Sequence, residues 1–333
     1  EGNFVFSSTL EFVNAGDILD CRYEITDKNG IIHIGRVDFD IEPMGSTVVN
    51  VPNDTAEYEN ETFIRFIFTA KEDTDYCENG YEVCFDQLRI AEGKACKVAE
   101  VKENVEAVET PLDITVTVGD VVYRFDKRKS AFVSVKFGGR ELLDRPLQYN
   151  FFRAPTDNDV MKCNWYKVHL NDFDVKSYGC ELSAGENRAE ISVTQSFGWS
   201  IQQPFCRLKA VYVIDGSGLD IKCEAEFSNK IDMIPRFGIR LFMPKDYFGY
   251  GPTESYIDKR QACYMGRFVA DIGDMHEDYI RPQENSSHYG CRYLTVSSED
   301  TSVMFTAGEE FSFNASQFTQ EELAAKAHNY ELE

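Results

Sequence analysis

The sequence is dominated by short runs in which apolar and polar residues alternate, and this pattern constrains the fold more than any other feature. Residues 18–25 alternate, the turn sequence DKNG follows at 27–30, and an apolar-rich run resumes over 31–41. A period of two places the apolar side chains on one face of a β-strand. An Asn-Gly turn joins antiparallel strands. The chain is therefore predicted to be an all-β protein.

The strand-like runs fall into two blocks separated by a segment of different character. Residues 1–93 contain about six runs, which predicts an immunoglobulin-like β-sandwich. Residues 94–112 are charged and lack a strong period, so we interpret them as a linker. From residue 113 the runs continue almost to the end of the chain. So many strands predict a second, large two-sheet sandwich over 113–333.

Two segments break the strand pattern and are predicted to be helical. One covers residues 164–170 and the other residues 319–328. In the second, Thr319 stands three residues before Glu322, which is the spacing of a capping box.

Charge and cysteine usage exclude some classes of function. The formal net charge of −23 would repel nucleic acids and anionic membranes, so neither is expected as a partner. No apolar stretch approaches the ~20 residues needed to cross a bilayer. The ten cysteines lack metal-site spacing and favour a reducing, cytoplasmic location, although Cys77 and Cys84 could pair in an oxidising one.

The first candidate constellation is the segment FFRAPTDND at 151–159. Its proline stiffens the exit from a strand, and Asp157, Asn158 and Asp159 offer oxygen atoms at a loop tip. A solvated turn is the alternative, since these residue types favour turns in any case. A calcium loop needs more oxygen ligands at wider spacing, so no metal is expected here.

The second constellation is GYGPTESYIDKR at 249–260, in which Glu254, Tyr256 and Asp258 alternate. On an extended chain these three side chains share a face that could hold sugar hydroxyls. An edge strand kept soluble by charge is the alternative.

The third constellation lies at 279–293 and is dense in planar, hydrogen-bonding side chains. Such groups suit hydroxyl recognition, and a solvated loop is the alternative. The candidates here are Gln283, Glu284, Asn285 and His288. A lone histidine is more often a structural hydrogen-bonding group than a proton carrier.

Taken together and in order, these segments resemble the C-terminal region of the glycoside hydrolase family 2 β-galactosidases. The resemblance rests on FRAPTDND at 152–159, IPRFGIR at 234–240, YGPTESYID at 250–258, YIRPQEN at 279–285 and FNAS at 313–316. It implies a galactose-mutarotase-like supersandwich after an immunoglobulin-like domain. Compared with relatives, Met161 replaces a glycine after the DND segment, and the domain is expected to be truncated at its C-terminus.

The resemblance also implies a division of labour within a parent β-galactosidase. Both catalytic glutamates belong to an upstream barrel, so no catalytic residue is assigned to this chain. The implied pocket wall comprises Arg153, Asp157, Asn158, Asp159 and Trp165. The possible carbohydrate-binding residues are Glu254, Tyr256, Gln283, Glu284, Asn285 and His288.

The partners implied in this way are the upstream barrel, a galactoside substrate and further copies of the intact enzyme in a homo-oligomer. No cofactor is expected in this chain, although parent enzymes use Mg and Na. Two alternatives remain. One is a free-standing epimerase of the aldose-1-epimerase type, with His288 and Glu254 as its acid and base. The other is a non-enzymatic carbohydrate-binding module.

Overall fold

The computed structural model describes residues 2–52, 58–93, 101, 103–241, 247–298 and 301–332. These residues form antiparallel sheets with a few short helices, which confirms the all-β prediction.

The first module is a sandwich of a two-stranded and a four-stranded sheet. Its elements are β1 (Asn3–Ser7), α1 (Ala15–Ile18), β2 (Leu19–Asp27), β3 (Gly30–Val37), β4 (Ser46–Asn50), β5 (Glu61–Ala70) and β6 (Glu82–Glu92). Strand β1 pairs with β4, and the larger sheet has the order β3-β2-β5-β6. Phe6, Ile25, Ile64 and Phe66 meet in the core between them.

The second module begins with two sheets that share one large core. Its elements up to residue 240 are β7 (Val105–Glu109), β8 (Asp113–Val118), β9 (Val121–Asp126), β10 (Ala131–Phe137), β11 (Arg140–Glu141), β12 (Gln148–Asn150), α2 (Lys162–Lys167), β13 (Asp174–Ala184), β14 (Arg188–Gly198), β15 (Cys206–Asp215), β16 (Gly218–Phe227) and β17 (Gly238–Arg240). The sheet orders are β11-β10-β9-β8-β7 and β13-β14-β15-β16, with β12 paired to β17.

A further four-stranded sheet completes the described part of this module. Its elements are β18 (Tyr247–Gly251), β19 (Tyr264–Phe268), β20 (Ser287–Ser298) and β21 (Thr301–Asn314), in the order β19-β18-β20-β21. Helix α3 (Gln320–Ala325) and a 3-10 turn at Asn329–Glu331 follow. The predicted capping box is confirmed, because Thr319 and Glu322 each accept the other's backbone N–H, at 3.2 and 2.7 Å.

The segment interpreted as a linker is not free of secondary structure. Strand β7 falls inside 94–112 and forms the edge of the five-stranded sheet by pairing with β8. Val105 is buried in the shared core, and the charged residues of the strand mask its alternation. Residues 94–100 and 102 lie outside the described residues. The boundaries of the two domains stay a prediction.

Strand β5 belongs to the first module and contacts the second through one of its two faces. One face, with Ile64 and Phe66, fills the first sandwich. On the other face, Phe63 packs against Phe248 and Met265 of the last sheet. Burial on both faces explains why this strand is almost continuously apolar instead of alternating.

Polar contacts between the modules surround this apolar patch. The side-chain amide of Gln87 donates to the carbonyl of Met265 at 2.9 Å and accepts from its N–H at 2.7 Å. The Arg292 guanidinium binds both carboxylate oxygens of Glu61 at 2.8 and 3.0 Å. The last sheet, which carries two of the three constellations, is thereby held against the first module.

Candidate functional site

The first constellation begins on two buried phenylalanines that anchor it in the core. Phe151 and Phe152 have no exposed surface. The ring of Phe151 lies 4.9 Å from that of Phe197 and 5.2 Å from that of Phe205, measured between centroids. Because the preceding residues are fixed in this way, Arg153 leaves the core at a defined point.

Asp159 closes the loop that follows. Its carboxylate accepts two bonds of 2.7 Å from the Arg153 guanidinium and one of 2.7 Å from the backbone N–H of Thr156. Burial alone would raise the pKa of Asp159. The hydrogen bonds from Arg153 and Thr156 lower the pKa by more than burial raises it, so the pKa lies below its usual range. Asp157 and Asn158 are exposed at the tip of this loop. We call residues 156–161 the pocket loop, after the pocket wall that the resemblance predicts for Asp157, Asn158 and Asp159.

Trp165 lies next to Arg153, the residue that binds Asp159 of the pocket loop. It lies on α2 with 2% of its surface exposed, and the Arg153 guanidinium lies 5.3 Å from its ring. Among the described residues, its indole N–H has no hydrogen-bond partner. Of the five residues predicted for the pocket wall, this one is buried.

The third constellation joins the first through Glu284. Its side chain is 5% exposed and binds the Nε of Arg153 at 3.0 Å and the guanidinium of Arg236. The backbone N–H of Glu284 donates to the carbonyl of Ala154 at 3.2 Å. Burial lowers the pKa of Arg236 to about 10, which leaves the group charged at neutral pH.

Glu254, in the second constellation, is also engaged by its own chain. Its side chain is 2% exposed. It accepts from the Tyr279 hydroxyl at 2.5 Å and the Ser286 N–H at 3.1 Å, and it forms an ion pair with Lys259. The Tyr256 hydroxyl lies 3.5 Å away.

The prediction that Glu254, Tyr256 and Asp258 share one face is wrong. The segment does not run extended, because Tyr256 and Lys259 exchange backbone hydrogen bonds of 3.0 and 3.1 Å across a tight turn. This turn points Asp258 into solvent, whereas Glu254 is buried.

His288 lies inside the last sheet. It is 1% exposed, its ring lies 4.4 Å from that of Tyr247 and 5.0 Å from that of Phe313, and its Nδ1 lies 3.3 Å from the carbonyl oxygen of Tyr250. Burial lowers its pKa. His288 and Glu254 are the acid and base suggested for an epimerase. In the structure these two residues have different hydrogen-bond partners.

Gln283 and Asn285 lie on either side of Glu284, in the loop that precedes β20. The Asn285 amide donates to the Gln283 carbonyl at 3.1 Å, and its oxygen accepts from the Ser286 hydroxyl at 2.5 Å. Asn285 is buried and Gln283 is half-buried. The polar side chains that suggested sugar recognition therefore bond largely to other groups of the loop.

A long cleft of about 2260 Å³ lies beside these groups. Strands β16 and β21 contribute to its walls, and Arg153, Arg236, Tyr256 and Glu284 are among the residues that line it. Of the possible carbohydrate-binding residues, Tyr256 and Glu284 reach this cleft.

Comparison with known protein families supports the resemblance. A family model described as "Beta galactosidase small chain" matches residues 117–333. The chain belongs to this family. A second model, "Beta-galactosidase, domain 4", matches residues 4–91 of the chain.

The chain is also similar to curated β-galactosidases. It is 29% identical to the enzyme of Actinobacillus pleuropneumoniae, and the match covers 100% of this chain and 34% of that enzyme. It is 26% identical to the enzyme of Staphylococcus xylosus over 99% of the chain and 34% of that protein. The chain thus spans about a third of these relatives.

Sequence reasoning missed three residues of the candidate site, because the motifs alone assign no role to Arg236, Tyr279 or Lys259. Arg236 and Tyr279 lie in segments that carry the family resemblance, and Lys259 directly follows one, so the resemblance was the available signal. Arg236 is far along the chain from its partner Glu284, and Tyr279 is far from its partner Glu254. Lys259 is close to Glu254 in sequence but is joined to it across a turn, so spacing alone could not pair these residues.

The described residues contain no group of three or more His, Cys, Asp or Glu side chains arranged to hold a metal ion. Within the described part of the chain, no helix has the length and apolar character needed to cross a membrane. The nine described cysteines are free thiols.

Proposed function

We propose that this chain is the non-catalytic C-terminal portion of a β-galactosidase that supports the catalytic barrel and completes its substrate pocket. The similarity to proteins named β-galactosidase, of which the chain spans about a third, supports the parent activity. The proposed substrate is a terminal β-D-galactoside. The parent is further proposed to be a cytoplasmic homo-oligomer that uses Mg and Na.

The observation that carries this proposal is how three carboxylates, two of them buried and one half-buried, are used. Asp159, Glu254 and Glu284 each bind cationic or hydrogen-bonding groups of the same chain. A general acid or base must instead exchange its proton with a substrate within hydrogen-bond reach. These carboxylates therefore act as structural anchors, and we infer that the chain alone does not hydrolyse galactosides.

The anchored elements present the pocket loop to the outside. Asp157 and Asn158 are exposed, and Val160 is 87% exposed. Carboxylate and amide groups can bind sugar hydroxyls, and an exposed valine can pack against a neighbouring domain. The loop is suited to restrict the pocket to galactosides of disaccharide size.

The pocket-loop role predicts a kinetic effect without a loss of stability. In the full-length enzyme, combining Asp157→Ala with Asn158→Ala is expected to raise KM for a disaccharide galactoside on the order of tenfold, with a smaller change in kcat. The melting temperature should stay unchanged because both side chains are exposed. Asp120→Ala, at an exposed turn of another sheet, is the matched control. A double variant that matches this control in KM would show that the loop tip does not contact substrate.

Carbohydrate binding by the cleft is a second candidate, favoured by its aromatic and polar lining. The rings of Tyr149 and Phe237 lie nearly parallel at 9° and 6.4 Å, and Tyr256, Arg153 and Glu284 also line the cleft. Aromatic rings stack on the apolar faces of sugars, and planar polar groups bind the hydroxyls. A galactose titration followed by NMR is expected to shift aromatic signals of the wild-type chain and not those of Tyr256→Ala. Identical spectra with and without a large excess of galactose would sink this candidate.

A further inference from the structure

The pocket loop depends on the orientation of one arginine. The Arg153 guanidinium makes two 2.7 Å bonds to Asp159, and Asp159 in turn holds the Thr156 N–H at 2.7 Å and its hydroxyl at 3.0 Å. A paired geometry of this kind is sensitive to small rotations of the planar guanidinium. Whatever fixes Arg153 therefore fixes the loop.

Glu284 is the group placed to fix Arg153. It binds the Nε of Arg153 at 3.0 Å, the nitrogen that Asp159 leaves free. Its second oxygen is held by Arg236, and its backbone N–H is tied to Ala154 at 3.2 Å. The Ala154 N–H donates to the side chain of Gln320 at 2.8 Å. Both backbone polar groups of Ala154, the residue next to Arg153, are therefore hydrogen-bonded.

From these contacts we infer that Glu284 is a positioning residue for the pocket loop, acting through Arg153 with Arg236 as its counter-charge. This inference rests on the proposed function for its kinetic consequence, because a loop fixed by Glu284 affects hydrolysis only if it walls the substrate pocket. The structural part concerns this chain alone.

The structural part is tested by amide hydrogen exchange in the isolated chain. Glu284→Gln keeps the size of the side chain but removes the charge that holds Arg153, so exchange over residues 156–161 is expected to rise on the order of tenfold or more. The matched control is Glu254→Gln, a carboxylate of similar burial that does not contact Arg153. Protection of the central strand β15 in the same molecule reports whether the domain stays folded.

If Glu284→Gln lowers protection in β15 as well, Arg153→Lys provides the test. Lysine keeps the positive charge but cannot make the two-nitrogen contact with Asp159 and a third contact with Glu284. It is expected to accelerate exchange in the pocket loop. Wild-type exchange in that loop, in whichever of the two variants stays folded, would overturn the positioning role.

Kinetics of the full-length enzyme separate this inference from the proposed function. Glu284→Gln is expected to raise KM for a disaccharide galactoside by about tenfold with a smaller change in kcat, and Glu284→Asp to restore part of the loss. Faster loop exchange with an unchanged KM would support the positioning role and refute the pocket role of the loop. Unchanged loop exchange would refute the positioning role whatever the kinetics.

Discussion

Replacing Phe151 with alanine is expected to lower the free energy of unfolding by about 3 to 5 kcal/mol. The side chain has no exposed surface, and its ring packs within 4.9 to 5.5 Å of the rings of Phe197, Phe205 and Phe173. Alanine would leave a cavity that these large rings cannot fill without moving. Urea denaturation followed by tryptophan fluorescence measures the change.

The matched control for this substitution is Phe137→Ala on strand β10. Phe137 is 43% exposed, so its removal is expected to cost about 1 kcal/mol or less. Equal effects of the two substitutions would show that Phe151 does not lie in a packed core. The anchoring of Arg153 and the pocket loop would then lose its foundation.

A second large effect is expected at the contact between the modules. Phe63→Ala removes a side chain that is 7% exposed and packs against Phe248 and Met265, at a cost of about 3 kcal/mol or more. Because Phe63 belongs to the first module and Phe248 to the second, the loss should reach both. Hydrogen exchange is expected to accelerate in β18 as well as in β5.

Ile34→Ala is the control, since Ile34 lies on the same sheet as Phe63 and is 57% exposed. It is expected to change stability by about 0.5 kcal/mol or less. Destabilisation by Phe63→Ala that stays within β1–β6, with β18 as protected as before, would contradict the coupling of the modules.

Elements governed by local pattern could be predicted from the sequence. Strands β15 and β16 alternate on either side of the DGSG turn at 215–218, and the structure pairs Asp215 with Gly218 at that turn. The Thr319 capping box was also readable, because both of its partners lie within one helical turn. Such features need only neighbouring residues.

The site was less predictable because its bonds join distant segments or depend on a turn. The ion pair of Arg236 with Glu284 brings two separate motifs together, and neither motif carries a sequence signal that indicates the pairing. The direction of Asp258 depended on a tight turn that breaks the alternation around it. Trp165 is predicted for the pocket wall, and its burial on α2 is decided by tertiary packing. The family resemblance found the right segments, whereas the roles of single residues required the geometry.

The most direct test of the account is hydrolysis of a chromogenic β-galactoside by the purified 333-residue chain, alone and after mixing with the upstream region of the parent enzyme. We predict no hydrolysis by the chain alone, since its buried carboxylates are held by their own partners, and hydrolysis once the upstream region is added. Hydrolysis by the chain alone would contradict the account, because a catalytic carboxylate pair would then have to lie within this sequence.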